Sequence, residues 1–110
     1  MRWNEPIWDE LVLEVSNDAG TNHLLVQAIK SLHYHSGLPA EECTQLVCRH
    51  YTLLSDPVHC AGLGIRVHDD DDFHAEGPLG LALRSYYRLV LKGQEDEDAY
   101  RQWRASLRAG

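Results

Sequence analysis

The chain has 110 residues, 44% hydrophobic and 25% charged, which is the make-up of one globular domain and excludes a disordered chain. Residues 1–77 carry 4 basic and 13 acidic side chains, a net −9, while residues 78–110 carry 6 and 4, a net +2. So negative a surface repels phosphates, disfavours non-specific nucleic-acid binding and favours a basic partner. Three cysteines cannot close a disulfide set within one chain. With no apolar leader and no apolar run of membrane length, the expectation is a cytoplasmic protein that contacts no membrane.

In chain order the recognisable elements are helices. The first is predicted from Glu5 to Val15, with Asn4 as cap, Pro6 in the first turn and Trp8, Leu11, Val12 and Val15 as its apolar stripe. Thr21 is expected to cap the second, Asn22 to His35, whose inner face is Leu25, Ala28, Ile29 and Leu32. Gly37 supplies its stop and Pro39 opens the third helix. There Cys43, Leu46, Val47, His50, Tyr51 and Leu54 form the apolar side, with His50 at the core margin. Ser55-Asp56-Pro57 ends this helix, and a short fourth helix is expected over Pro57 to Ala61.

Residues Ile65 to Gly77 carry no helical period and are expected to form an acidic loop. Gly64 to His68 is the one short strand candidate. The fifth helix is predicted from Pro78 to Lys92, with Leu79, Leu83, Tyr86, Tyr87 and Val90 facing inward. The last helix begins in Glu95, Asp96, Glu97 and Asp98 and ends in Arg101, Arg104 and Arg108, so its charges oppose the helix dipole at both ends. The expected fold class is all-α: a single domain over residues 1–110, a compact bundle of five to six helices with one acidic loop between helices 4 and 5.

Few residue patterns carry chemistry. Cys43, Cys48 and His50 share a helix, but Cys43 and His50 lie roughly 10 Å apart along it and Cys48 is rotated away, so they cannot share a zinc ion. His59 and Cys60 are adjacent, yet a nucleophilic pair needs a third orienting group. No nucleotide-binding, hydrolase or metalloprotease motif is present, and neither catalytic residues nor a cofactor are expected. The loop from His68 to His74 holds two imidazoles and four carboxylates. Consecutive side chains of an extended loop point to opposite sides, which leaves His68 and His74 as weak metal candidates.

Protein binding is the remaining class. An extended run from Asp69 through Asp70 and Asp71 to Asp72 spaces charges about 3.3 Å apart, close to the phosphate spacing of a nucleic-acid strand. Such a nucleic-acid mimic fits a basic groove on a partner protein, for example that of a nucleic-acid-binding complex. The expected partner-binding residues are Asp69, Asp70, Asp71, Asp72, Phe73 and Glu76, with Phe73 facing either an apolar pocket of the partner or the chain's own core. Trp3 and Trp103 are further candidate contacts, and a homodimer through Tyr100, Trp103 and Leu107 is a separate expectation.

In size, charge and helical content the chain resembles the small acidic inhibitors that phages direct against nucleic-acid machinery, such as anti-CRISPR proteins. It also resembles bacterial antitoxin and immunity proteins. The resemblance implies a non-enzymatic inhibitor that binds a basic protein surface and makes no direct contact with nucleic acid. The alternative reading is a metal-binding protein using the His68–His74 segment.

Overall fold

The computed structural model describes residues 15–93 and 96–109, the last two by their backbone alone. Among these the chain forms α1 (Ala19–Ser36), α2 (Ala40–Leu54), α3 (Pro57–Leu63), α4 (Asp70–Ser85) and α5 (Glu97–Ala109), and no strand. A π-helical turn, Tyr86–Val90, continues α4. All but Val15 of the helix expected over Glu5–Val15 lies outside the described residues, as do Trp3, Glu95 and the Arg108 side chain. Gly64–His68, the strand candidate, is irregular connection.

Asp18, not Thr21, caps α1. Its carboxylate accepts from the Thr21 backbone N–H and hydroxyl, both at 2.9 Å. The helix thus starts three residues earlier than its apolar period indicated, and Thr21 becomes a buried third residue. Gly37, at φ 77, ends α1 in the left-handed conformation as expected, its N–H donating to the His33 carbonyl at 3.0 Å. Leu25, Ala28, Ile29 and Leu32 are all buried, as their spacing predicts. Each buried Leu or Ile contributes about 1.5–3 kcal/mol of transfer free energy, which is what fixes the orientation of this helix.

The turn at Gly37–Pro39 folds α2 back onto α1, and Cys43, Val47, His50, Tyr51 and Leu54 are buried on its inner side. His50 is fully enclosed at 1% exposure rather than at the core margin.

The fifth predicted helix begins well before Pro78. Its structural counterpart, α4, starts at Asp70 and breaks at Gly77, whose φ of 82 and ψ of 169 only glycine adopts without strain. Pro78 follows, lacking an N–H that the break leaves unneeded. The connection between the fourth and fifth helices is present, but of the four aspartates only Asp69 belongs to it.

α4 lies against α1 and runs in the same direction. Ser16 meets Asp70 at one end, and Thr21 meets His74 one turn further on. Phe73, Leu81 and Ala82 of α4 join the α1 and α2 residues in one core. α5 docks through side chains: Glu97 to Arg84, Tyr100 against Tyr87, and Trp103 stacked on Tyr86 at 6.3 Å between ring centroids. Tyr100 is therefore buried within the chain and unavailable to a homodimer, while Leu107 is half exposed.

Candidate protein-binding surface

The side-by-side, parallel setting of α1 and α4 brings two helix N-termini to one end of the molecule. Each carries the positive end of a helix dipole and unsatisfied N–H groups. The sequence supplies aspartates at both: Asp18 on α1, Asp69 to Asp72 on α4.

Asp69 and Asp72 form a reciprocal cap. The Asp72 N–H donates to Asp69 Oδ1, and the Asp69 N–H donates to Asp72 Oδ2, both at 2.9 Å. Arg66 grips Asp72 with both terminal nitrogens at 2.9 Å. That fork, aided by the Asp69 N–H, holds the Asp72 carboxyl far below the usual carboxylate range. Asp70 points the other way. It accepts from the Tyr51 hydroxyl at 2.9 Å and from the Ser16 hydroxyl at 3.0 Å. Partial burial pulls its pKa up, but these hydrogen bonds outweigh it and hold the carboxyl below its ordinary value.

The sequence-based candidates thus separate. Asp69, Asp70 and Asp72 start α4 and tie it to its surroundings. Asp71 is exposed and makes no side-chain hydrogen bond or ion pair with the described residues. Phe73 faces the core: it is 1% exposed and packs on Tyr51 at 4.7 Å between ring centroids, so it presents nothing to a partner. Glu76 is half-buried and paired with Arg84 at 3.2 Å, which leaves it a bracing residue within the fold. From Asp70 onward the run is helical, with a rise of about 1.5 Å per residue, so the carboxylates do not copy the phosphate ladder of an extended strand.

No family model, curated protein or solved structure matches this chain.

His68 and His74 do not converge. His68 Nδ1 lies 3.1 Å from the Arg66 carbonyl, and its backbone N–H donates to the Leu54 carbonyl at 2.8 Å. His74 Nε2 lies 3.1 Å from the Thr21 hydroxyl. That hydroxyl already donates to Asp18, so His74 is the donor in this contact. Among the described residues no three His, Cys, Asp or Glu side chains are placed to hold a metal ion, and no helix is long and apolar enough to cross a membrane.

Asp69 and Asp72 have the spacing of an N-cap and its third residue, which is the signal by which the true start of α4 could be found. The buried His50 carried no such signal. Both its ring nitrogens lack a hydrogen-bond partner among the described residues, and burial, with Arg88 and Arg84 nearby, lowers its pKa to about 3.

Proposed function

We propose that this chain is a non-enzymatic binding protein that inhibits its partner by covering a basic surface with the end of the molecule where α1 and α4 begin. The observation that carries this reading is the exposure of Asp18, Asp69 and Asp71 on two adjoining helix starts, within a segment of net charge −9. Asp70 and Asp72 add their charge to the same field while bonded internally. Clustered charge of one sign raises association rates with an oppositely charged surface and makes binding sensitive to salt.

Asp71→Lys tests the reading at a modest cost to the fold, about 1 kcal/mol for reversing a charge in the first turn of α4, because the Asp71 side chain makes no hydrogen bond or ion pair with the described residues. Wild-type and Asp71→Lys proteins, used side by side as baits at low and high salt, should differ in one way. A partner retained by the wild type at low salt should be lost at high salt and lost from Asp71→Lys. A partner held equally by both proteins at both salt concentrations contradicts the proposal.

A further inference from the structure

A concave feature lies away from the acidic end among the described residues. It is a groove of about 540 Å³ between α5 and the body, within the roughly 300–1,000 Å³ of small-molecule sites. Leu32 of α1, Leu79 and Leu83 of α4 and Tyr86 of the π turn line the body side. Trp103 and Leu107 line the α5 side. Trp103 stacks on Tyr86, with their planes only 15° apart, and Arg84 fastens the start of α5 through Glu97.

The charges at this groove run against the rest of the chain. With 17 acidic residues in the sequence, no acidic side chain lines it among the described residues. The basic groups that do are Arg104 and His35. Arg104 is half-buried, and its Nη1 sits 3.5 Å from the Tyr100 hydroxyl, which steadies the guanidinium at the wall and leaves its other donors to a ligand. Ser36 offers nothing, since its hydroxyl donates to the Leu32 carbonyl and accepts from the Leu38 N–H. The carbonyl end of α1 lies on the His35 side and disfavours an anion there. An anionic head therefore belongs at Arg104, with an apolar body along the leucines.

We propose that the groove between α5 and the body binds an anionic amphiphile, a single apolar chain or ring system bearing a carboxylate or similar head, with Arg104 as the head-group contact and Leu79, Leu83 and Trp103 holding the apolar part. The site is separate from the acidic end, and neither proposal depends on the other.

Calorimetric titration of the full chain with dodecanoate, and separately with dodecyltrimethylammonium, tests this below the micellar concentration of each. Dodecanoate should saturate one site per chain and bind at least roughly tenfold tighter than the cation, the difference a charge-assisted hydrogen bond makes. Arg104→Gln should remove that preference while leaving the circular dichroism spectrum unchanged. Leu83→Asn should weaken both probes, and Leu107→Asn, at the half-exposed rim, offers the same test should Leu83→Asn fold poorly. Equal affinity for the two probes, unchanged dodecanoate binding by Arg104→Gln, or no saturable binding, as when a second copy or another segment of the chain fills the groove, would each overturn the proposal.

Discussion

Asp69 and Asp72 satisfy each other's backbone: each carboxylate accepts the other residue's N–H at 2.9 Å. Two of the four N–H groups that a helix start leaves unpaired are settled in this way, and the negative charge lies at the positive end of the dipole. A run of four aspartates is thereby turned from a repulsive stretch of chain into the start of α4. Arg66 offsets part of the charge from outside the helix.

Arg84 fastens the start of α5. It pairs with Glu76 on one side and with Glu97 on the other, and its guanidinium carbon lies 3.9 Å from the centre of the Tyr100 ring. At 17% side-chain exposure it is only lightly screened. Arg84→Leu should cost about 2 kcal/mol in urea unfolding, from lost charge-assisted hydrogen bonds and ring contact. The amides of α5 should also exchange hydrogen faster than those of α1. Equal protection of both helices in the variant would show that α5 is held by other contacts.

Gly93 lies directly beneath Tyr87. A Cβ at this position would overlap the Tyr87 ring. The ring could move only by giving up its contacts with Tyr100 at 5.4 Å and Trp103 at 5.3 Å between centroids. Gly93→Ala should therefore destabilise the chain by about 1–3 kcal/mol, the usual cost of overpacking, and reduce its near-ultraviolet circular dichroism. A variant with wild-type stability and an unchanged aromatic signal would mean that the ring does not close over Gly93.

His50 links stability to pH. Its pKa in the folded chain is about 3, against 6.5 for an unperturbed histidine, so below pH 6.5 the unfolded chain binds a proton that the folded chain refuses. Stability from this group is full above 6.5 and is lost as pH falls towards about 3. The slope is about 1.4 kcal/mol per pH unit. Between about pH 6 and about pH 5 this loss precedes the protonation of carboxylates such as Asp70 and Glu97. These are themselves held low, Glu97 chiefly by the Arg84 hydrogen bond and Asp70 by hydrogen bonds that outweigh its burial, and their contributions are lost at lower pH still. His50→Leu should be as stable as the wild type or more so at neutral pH, since no hydrogen bond is given up, and its stability should be flatter across that window. Urea midpoints measured across the window check this; identical slopes in the two proteins would contradict it.

Most of the fold was legible in the periodicity of apolar residues. The inner faces of α1 and α2 are the residues that a period of 3.6 selects, and Gly37 ends α1 where its position indicated. The acidic end was not legible in the same way, because four consecutive charges have no period. Pro78, a good helix opener, drew the start of α4 away from Asp70, and the break at Gly77 that permits both depends on a backbone angle rather than on composition. Phe73 reads as a loop residue until α4 is known to begin before it; its packing on Tyr51 then follows. Burial of His50, with Arg84, Arg88 and His68 near it, comes from tertiary packing, which no local pattern records.

Asp69, Asp70 and Asp72 start and anchor α4, whereas the exposed Asp71 side chain makes no hydrogen bond or ion pair with the described residues. Urea unfolding of Asp69→Ala, Asp70→Asn and Asp71→Asn proteins tests it most directly. Asp69→Ala should lose about 1 kcal/mol as a removed cap, and Asp70→Asn about 1–2 kcal/mol through weakened bonds from Tyr51 and Ser16. Asp71→Asn should stay within about 0.5 kcal/mol of the wild type. Three equal, negligible effects would contradict the claim and return the run to an exposed acidic segment with no part in the fold.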